Sequence, residues 1–495
     1  MIEAAAGCAK TSTLAMAAPK VRGFSLALAF NKKIAEDMAG ALPSSFEVKT
    51  MNALGHRAWV SQASSPIKLE PKKLPKLVSE VSREFKLGLD TDQWEELRGL
   101  VSAAMAAGLV PSSQQGAKET LVPDTRAGWL AIAESINLWQ EDFDLLWEPA
   151  RAVLERDIIL AKQGIISFDD QIYCPVMLGG KFDTFANVFV DEDQDLSNLQ
   201  IEMLSRVIRP GSRIVACGDS RQAIYAWRGA SGQAASLIRR LRLHWQDFPL
   251  LTTFRCPRVI VTRQQEHVPG FRAWSGAAEG EVVNFKLGGW TIQEILACNP
   301  SSNQPIAILC RNNAPLLSLG FKLMRQGISI SMAGRDIGKG LVSLVKKICG
   351  KTDPSKVKAS IFLGLLDDWA SREKSKALAE DRPERVSSII DRTEAIQVTA
   401  EGIEAQDAGQ IISQLEALFS RPQGTQILLS SIHRAKGLEW PLVVHLDPWR
   451  LPSKQALRAA KEGNSVPLQQ EKNLLYVCET RTKHTLVNAN LADFY

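Results

Sequence analysis

The sequence lacks the paired cysteines of a zinc or redox motif and the long apolar runs of a membrane protein. Its eight cysteines include no CxxC pair, and no His/Cys cluster has zinc-ligand spacing, which favours a reducing compartment. No apolar stretch approaches the roughly 18 residues that a membrane span needs. A repeat of fixed period and a low-complexity tail are also missing, which excludes repeat architectures. The cysteines stand at positions 8, 174, 217, 256, 298, 310, 349 and 478.

The composition is that of an ordinary globular protein. A chain of 495 residues is long enough for roughly three domains, and 45% hydrophobic residues suffice for sizeable cores. The formal charge of +5 permits a nucleic-acid partner through local basic surface without requiring one. Near the start, Ala6-Gly7-Cys8 is superficially similar to an export-processing site, but Glu3 and Lys10 interrupt any apolar segment. We therefore expect a cytoplasmic protein, or a nuclear one in a eukaryote, with no membrane partner.

Apolar runs and helical periodicity predict an α/β fold with two cores. Strands are expected near 24–30, 188–190, 214–217, 306–310, 427–430 and 442–446. Helical patterns fill about 60–160 and, with more charge, about 335–424. We expect a first core over 1–60 and 161–240 with a helical insertion at 61–160. The second core is expected over 241–334 and 425–495, with a smaller insertion at 335–424.

The opening segment has the length and ending of a P-loop, whose backbone N–H groups cradle phosphates. Lys10 would reach the outer phosphates and Thr11 would hold magnesium. Both glycines of the general pattern GxxxxGK[ST] are alanine here, at Ala4 and Ala9. Left-handed geometry costs alanine roughly 1–2 kcal/mol, so the loop either avoids it or tolerates strain. Read alone, the segment also fits an Ala/Gly turn before a helix. The predicted nucleotide-binding residues of this loop are Gly7, Cys8, Ala9, Lys10, Thr11 and Ser12.

A cluster of carboxylates follows the apolar run at 188–190. Carboxyl ends of buried parallel strands are where α/β proteins place ligand chemistry. Asp191 is therefore expected to hold Mg²⁺, and Glu192 to position or deprotonate an attacking water. In isolation a charge cluster is more often a solvated loop. The P-loop and the carboxylates support each other, so the predicted ligand is magnesium ATP.

A third polar segment follows the strand expected at 214–217. It contains Gln222 and the aromatic residues Tyr225 and Trp227, which could also be ordinary core side chains. Together with the strand, residues 217–230 resemble the third motif of the UvrD/Rep/PcrA-like helicases of superfamily 1. That family has two RecA-like P-loop cores with parallel sheets, each carrying a mostly helical insertion.

The resemblance continues through nearly the whole chain in family order. Segments 30–33 and 50–52 resemble early DNA-contacting motifs, with Asn52 where histidine is common, and Thr253-Phe254-Arg255 resembles motif IV with phenylalanine replacing tyrosine. Residues 309–314 and 334–338 resemble later segments that lean toward the F-box DNA helicase branch. Residues 431–440 resemble motif V and residues 474–483 resemble motif VI, although each alone could be an amphipathic helix or a surface turn. The segment 168–170 resembles one that precedes the strand ending at Asp191.

The resemblance implies roles for particular residues. Gln222 would sense the γ-phosphate, Arg255 and Arg481 would supply positive charge to it, and Phe254 would stack on adenine. Gly437 and Glu439 would also belong to the nucleotide site. Single-stranded DNA and its junctions with duplex would be the partner, contacted by Phe30, Asn31, Thr50, Tyr225, Trp227 and His433.

These roles together predict an ATP-dependent DNA helicase acting in replication, repair or recombination, moving 3′ to 5′ by family resemblance. Arginines on a separate core would require cleft closure for hydrolysis, and closure would move DNA-gripping surfaces. One alternative is a translocase that strips proteins from single strands, consistent with the small second insertion. Another is a DNA-binding pseudo-ATPase disabled by the missing upstream segment and by Ala5 and Ala9, the two positions that depart from the family's P-loop. The family's upstream glutamine motif does not precede the P-loop here, so either the start is truncated or misassigned, or base recognition relies on Phe254 and other groups.

Overall fold

In this computed structural model, each half of the chain folds around its own parallel β-sheet. Contacts divide the chain into two units. The first comprises Met1–Ala4 and Ala9–Leu250, and the second comprises Ala5–Cys8 and Leu251–Tyr495. Within the described part of the chain, no helix is both long and apolar enough to cross a membrane. The structure describes all residues except 30, 64–65, 90, 115–119, 137, 139, 225–233, 286–291, 300–303, 380–382, 420–424, 462, 464 and 495.

The sheet of the first unit has six described strands in the order β3-β2-β6-β7-β1-β8. Every described pair in it is parallel. Strands β2 and β6 are buried along nearly their whole length, as expected for a parallel sheet covered on both faces. A separate parallel pair, β4 with β5, lies outside this sheet. The strands are β1 Ile2–Ala4, β2 Ser25–Ala29, β3 Phe46–Thr50, β4 Lys68–Leu69, β5 Ile165–Ile166, β6 Phe185–Asp191, β7 Ile208–Gly218 and β8 Phe248–Leu250.

Four helices of the first unit, α2, α3, α6 and α9, begin at capping residues. Asn31, Thr50 and Thr125 each accept a hydrogen bond from a backbone N–H of the first turn, and Ser197 with Gln200 forms a capping box. One apolar core joins the sheet to the inserted helices, since Leu26 and Val188 share it with Trp129. The helices are α1 Lys10–Ala17, α2 Lys32–Ala41, α3 Met51–Val60, α4 Lys73–Glu84, α5 Thr91–Ala107, α6 Arg126–Ser135, α7 Gln140–Lys162, α8 Asp170–Tyr173, α9 Asn198–Val207 and α10 Ala234–Arg239.

A buried ion cluster also fastens the inserted helices. The Lys73 ammonium on α4 lies 3.0 Å from a carboxylate oxygen of Asp157 on α7 and 2.7 Å from one of Asp170 on α8. All three side chains are almost completely buried. Burial, together with the neighbouring charge of Asp170, raises the pKa of Asp157 well above its ordinary value. A buried charge without its partner is costly, so this cluster holds α4, α7 and α8 in one arrangement.

The sheet of the second unit also has six described strands, in the order β11-β16-β15-β12-β14-β13, and its described pairs are parallel. The carboxyl ends of β12, β14 and β15 are in register, since Cys310 pairs with both Ser431 and Leu446. A further parallel pair joins β9 to β10. The strands are β9 Thr252–Thr253, β10 Arg272–Ala273, β11 Glu281–Asn284, β12 Ile306–Cys310, β13 Ile330–Met332, β14 Ile427–Ser431, β15 Trp440–Leu446 and β16 Thr482–Ala489.

The second core likewise runs from the sheet into the helices of its insertion. Ile308 and Leu442 on the sheet share one apolar cluster with Phe362, Ile396 and Leu415. The helices of this unit are α11 Arg258–Gln264, α12 Ile292–Ala297, α13 Ala314–Arg325, α14 Arg335–Cys349, α15 Ala359–Ala379, α16 Pro383–Gly402, α17 Ala408–Leu418, α18 Ile432–Ala435, α19 Lys454–Lys461 and α20 Val466–Glu479.

The predicted fold class is confirmed: the chain has two parallel sheets of the RecA-like kind with many helices. All six strands predicted from apolar runs are present. Some short strands, among them β8 and β13, have only three residues each, too few to stand out by alternation. The first sheet includes β8 and therefore extends to Leu250, beyond the expected limit at 240. The other domain limits stay predictions.

Candidate functional site

The predicted phosphate loop follows the carboxyl end of β1 and leads into α1. Ala9 precedes α1 in the left-handed region with φ 57° and ψ 42°, and it makes no side-chain cap. Gly7 is also left-handed, with φ 70°. The loop thus tolerates the strain of a left-handed alanine, which costs roughly 1–2 kcal/mol, instead of avoiding that conformation. Strain of this kind persists where the surrounding structure over-determines the backbone. Ser12 lies on α1 with its side chain exposed.

The first residues of α1 meet the carboxylates at the end of β6. Lys10 Nζ lies 3.4 Å from Glu192 Oε1. The Thr11 hydroxyl donates to Asp191 Oδ2 at 3.0 Å. Because β6 and β1 are parallel strands of one sheet, their carboxyl ends lie at the same edge. The structure therefore brings together four residues that the sequence predicts to act together.

The carboxylate cluster is buried, so it is not a solvated loop. Asp191 is 3% exposed and Asp193 4% exposed. Burial, followed by the charge of Glu192, raises the pKa of Asp191 to about 6, although Lys10 and the hydrogen bond from Thr11 oppose the shift. Burial, followed by the charges of Glu3 and Glu192, raises the pKa of Asp193 to about 7. Both pKa shifts arise first from burial and then from neighbouring carboxylates, and a bound cation would favour the charged form of both groups.

Lys10 supplies part of that positive charge. Burial lowers its pKa, but the nearby carboxylates of Glu192, Asp219 and Asp191 outweigh burial and raise the pKa overall. The ammonium therefore stays protonated. Among the described residues, no group of three or more His, Cys, Asp or Glu could hold a metal ion by itself. Magnesium commonly uses one or two carboxylates together with substrate phosphates, so the Thr11 and Asp191 pair fits a magnesium nucleotide.

A chain of hydrogen bonds links Glu192 to Gln222 through Gln194 and Asp219. Gln194 Nε2 donates to Glu192 Oε2 at 2.6 Å, and Gln194 Oε1 accepts from the backbone N–H of Asp219 at 3.0 Å. Gln222 Nε2 then donates to Asp219 Oδ2 at 2.7 Å. A side chain at Gly218 would clash, because its Cβ would lie 1.9 Å from Asp193 Oδ1. The close approach of these two strand ends therefore requires glycine.

Glu3 on β1 also holds the segment that follows β7, through hydrogen bonds to Ser220. Its Oε1 accepts from the backbone N–H of Ser220 at 3.0 Å and from the Ser220 hydroxyl at 2.7 Å. Arg221 Nη2 also approaches it, at 3.4 Å. Sequence reasoning missed Glu3, Gln194 and Asp219 as members of the site. The available signal was that each lies at or just beyond the end of one of three adjacent strands, β1, β6 and β7.

The loop segment Ala5–Cys8 makes its contacts within the second unit. The Ala6 backbone N–H donates to the Tyr476 hydroxyl at 2.7 Å, and the Phe254 N–H donates to the Gly7 carbonyl at 2.9 Å. A Cβ on Gly7 would lie 2.5 Å from the Cβ of Arg255 and 2.6 Å from the Thr253 hydroxyl. Two features therefore favour glycine at position 7: the positive φ of its backbone and the lack of space for a Cβ.

Arg255 is held by a carboxylate of the same unit. Its Nε donates to Glu439 Oε2, and Lys483 Nζ lies 2.6 Å from Glu439 Oε1. Burial alone would raise the pKa of Glu439, but the charges of Arg255 and Lys483 and their hydrogen bonds lower it overall. The structure thus places predicted residues Arg255 and Glu439 in direct contact. Lys483 is a partner that sequence reasoning did not assign.

Arg481 is almost completely buried, with 1% of its surface exposed. Its Nε donates to the Val477 carbonyl at 3.0 Å, and Nη1 donates to the Leu438 carbonyl at 3.2 Å. These bonds fix the guanidinium between α20 and the turn that precedes β15. Gly437, in that turn, is exposed and has φ 83°.

Phe254 presents an exposed ring, 62% of its surface being accessible. It follows β9 as Trp274 follows β10, and the two ring centroids are 6.4 Å apart. An exposed aromatic ring is able to stack on a base, and the adenine-stacking role of Phe254 stays a prediction.

The predicted DNA-contacting residues are only partly described. Asn31 caps α2 and Thr50 caps α3, so both have a structural role that explains their residue type. His433 lies on α18 just after the carboxyl end of β14 and is half-buried. Phe30, Tyr225 and Trp227 lie outside the described residues.

The buried parallel strands, the lysine–threonine pair after β1 and the aspartate–glutamate pair after β6 define a P-loop nucleotide-binding protein of the RecA-like class. Comparison with protein families agrees. Residues 160–240 match the UvrD/REP helicase N-terminal domain, and residues 346–489 match the UvrD-like helicase C-terminal domain. These two matches, in separate parts of the chain, support a UvrD-like helicase of superfamily 1A.

Several curated proteins are similar to this chain. ATP-dependent DNA helicase UvrD2 of Mycobacterium tuberculosis is 25% identical over 456 residues, covering 82% of this chain and 61% of the relative. F-box DNA helicase protein 1 of Schizosaccharomyces pombe is 23% identical over 536 residues, covering 100% of this chain and 56% of the relative. ATP-dependent DNA helicase Rep of Escherichia coli is 27% identical over 28% of this chain and 22% of the relative. The chain thus spans less than two thirds of each of these relatives.

Proposed function

We propose that this protein is an ATP-dependent DNA helicase that hydrolyses magnesium ATP while moving along single-stranded DNA. The observation that carries the proposal is the pairing of Lys10 and Thr11 with Asp191 and Glu192 at one edge of a parallel sheet. The matches to both UvrD-like helicase domains support it, as do relatives named ATP-dependent DNA helicases.

Each residue of the constellation has a definite role in this proposal. Lys10 and the loop N–H groups bind the phosphates, while Thr11 and Asp191 hold Mg²⁺, which neutralises charge on the phosphates when bound. Glu192 orients the attacking water and accepts its proton. The 3.4 Å ion pair between Lys10 and Glu192 holds the two side chains beside each other.

Gln222 is proposed to respond to the γ-phosphate through its bond to Asp219, which is joined to Glu192 by Gln194. Arg255 and Arg481 are proposed to supply the positive charge that stabilises the transition state, a contribution worth roughly 10³–10⁵ in rate. Phe254 is proposed to stack on adenine, and Gly437 with Glu439 to complete the nucleotide site.

For the DNA, we propose stacking on Phe30, Tyr225 and Trp227, with Asn31, Thr50 and His433 as polar contacts. Stacking is sequence-tolerant because every base has a flat face, and it is worth roughly 1–3 kcal/mol per base. The proposed direction is 3′ to 5′, with junctions of single and double strands as substrates in replication, repair or recombination.

The test is ATP hydrolysis measured with and without single-stranded DNA. We expect DNA to stimulate hydrolysis in the wild type and Lys10→Ala to abolish it, because the outer phosphates lose their cation. Lys20→Ala is the matched control, since Lys20 is exposed just beyond α1. A folded protein whose hydrolysis ignores DNA would count decisively against a DNA motor. DNA binding without turnover, unchanged by Lys10→Ala, would instead indicate a pseudo-ATPase.

A translocase that displaces proteins but separates duplex poorly is the second candidate, favoured by the short second insertion. Strand displacement on a 3′-tailed and a 5′-tailed duplex tests both unwinding and direction. Efficient removal of a bound protein without strand separation would favour this candidate.

A further inference from the structure

An exposed tryptophan, Trp449, lies at the carboxyl edge of the second sheet. Trp449 follows β15, and 64% of its surface is exposed, compared with 42% for Trp274. Burying a tryptophan is normally favourable by several kcal/mol. A ring left so exposed is therefore available to a ligand with a flat apolar face.

The loop that carries Trp449 is held at both ends. At its start, Asp447 adopts φ 51°, its N–H donates to the Ala489 carbonyl at 2.8 Å, and its Oδ1 accepts from the Leu491 N–H at 2.8 Å. At its end, the Ser453 N–H donates to Glu471 Oε2 at 3.3 Å. Fixed ends reduce the entropy lost when the ring stacks on a ligand.

Arg450 lies against the tryptophan ring. Its guanidinium carbon is 4.5 Å from the ring centroid, and its Nε donates to Asp447 Oδ2 at 2.8 Å. The two residues form a pair in which a cation covers part of one aromatic face. We call Trp449 and Arg450 the Trp–Arg step.

The surroundings of the Trp–Arg step are basic. The carboxyl ends of β15, β12 and β14 lie side by side, so the step shares one sheet edge with Arg311, His433 and Arg434. Arg458 and Lys461 are exposed on α19, which follows the loop directly. Two described carboxylates of this region pair with arginines: Asp447 bonds Arg450, and Glu471 bonds Arg311 at 2.9 Å.

We propose that the Trp–Arg step is a base-stacking site for single-stranded nucleic acid, with Trp449 taking one base and the basic edge taking the phosphates. A duplex fits poorly because its base faces are already stacked. This site deepens the proposed function and rests on it. It adds a stacking residue in the second unit to those proposed in the first.

The test is binding of a dye-labelled oligothymidine by fluorescence anisotropy at several salt concentrations. Trp449→Ala is expected to raise Kd roughly tenfold, in line with the loss of one stacked base. The slope of log Kd against log salt should not change, because no cation is removed. Trp449→Phe should recover most of the affinity. Ile361→Ala removes another exposed apolar side chain, 58% accessible, and should leave Kd unchanged.

The possible results distinguish a failure of the Trp–Arg step from a failure of the proposed helicase function. A wild type that binds oligothymidine and is stimulated by it, with Trp449→Ala equal to wild type, overturns the Trp–Arg step and leaves the motor standing. A wild type that binds no single strand overturns the motor as well. Equal losses in Trp449→Ala and Trp449→Phe, accompanied by a lower Tm in both, would assign Trp449 to loop packing and also overturn the site.

Discussion

The side-chain amide of Gln194 donates to the Glu192 carboxylate at 2.6 Å while its oxygen accepts from the backbone after β7. Gln194 is 5% exposed, so this bridge is shielded from water. The bridge fixes the Glu192 carboxylate, which is proposed to orient the attacking water. The backbone of Glu192 is itself left-handed, with φ 55°. A strained backbone held by a buried hydrogen bond is a feature of functional sites.

We expect Gln194→Ala to lower kcat of ATP hydrolysis roughly 10–100-fold, the usual cost of removing a group that orients a site residue. KM for ATP should change little, because Lys10 and the loop remain. Gln200→Ala is the control: Gln200 completes the capping box of α9, so its loss should lower Tm while kcat stays near wild type. Equal kcat losses in both variants would argue that Gln194 acts only through stability.

Replacing Ala9 by glycine should stabilise the first unit. Alanine in the left-handed region costs roughly 1–2 kcal/mol, whereas glycine loses only about 0.5–1 kcal/mol more chain entropy on folding. The net gain should appear as a higher urea midpoint. Ala15→Gly, inside α1, should lower the midpoint because glycine there brings the entropy cost alone. A lower midpoint for Ala9→Gly would contradict the strain inferred from φ 57°.

Stability should depend on pH through the buried carboxylates. The folded-state pKa values of Asp191 and Asp193, about 6 and about 7, lie above their ordinary value, so the folded protein holds these protons more tightly than the unfolded chain. Their contribution to stability is complete below about pH 4 and is lost as the pH rises through 6 and 7.

Asp193→Asn should therefore raise the urea midpoint at pH 8 and leave it nearly unchanged at pH 4. The neutral amide removes a buried charge without changing side-chain size. Asp37→Asn, at an exposed position on α2, serves as the control and should change neither midpoint. A uniform shift at both pH values would show that Asp193 contributes by packing and not by titration.

Arg255→Ala is expected to lower kcat by roughly 10³ or more, as for loss of an arginine that stabilises transferred phosphate. Affinity for ADP should change much less, because the γ-phosphate is absent from that ligand. Arg258→Ala is the neighbouring control. The Arg258 side chain is partly exposed, donates to the Ser275 carbonyl and lies 3.8 Å from a carboxylate oxygen of Glu279. Stopped-time hydrolysis assays and ADP titration together distinguish a chemical role from a binding role, and a normal kcat would remove Arg255 from the proposal.

Lys73→Met should destabilise the first unit by about 3–5 kcal/mol, because Asp157 and Asp170 would remain buried without their cation. Urea unfolding followed by fluorescence measures this. Lys76→Met, on the exposed side of α4, should have an effect within about 0.5 kcal/mol. Adding Asp157→Asn and Asp170→Asn to Lys73→Met should restore part of the loss, and no restoration would point to packing instead of charge.

The fold class and the centre of the nucleotide site follow from local sequence. Apolar runs such as that of β6 predict buried parallel strands, and the residues after β1 and β6 meet because parallel strands share a carboxyl edge. The Lys10–Glu192 and Thr11–Asp191 pairs were predictable for this reason. Short strands such as β13 were not, because three residues carry too little periodicity.

The remaining features depend on contacts between distant residues. Gln194 reaches Asp219, and Glu3 reaches Ser220, only because strand order and register place their ends side by side. Likewise, burial alone distinguishes the carboxylates of β6 from a solvated loop, and exposure alone distinguishes Trp449 from a core tryptophan.

By itself, then, the sequence determined the two parallel cores, the P-loop and its acidic partners, since these arise from residue patterns that are short and local. The tertiary structure decided the left-handed strain at Ala9, the raised pKa values of Asp191 and Asp193, and the exposed Trp–Arg step. Each of these depends on packing and on electric fields from residues far apart in the chain, which no local pattern encodes.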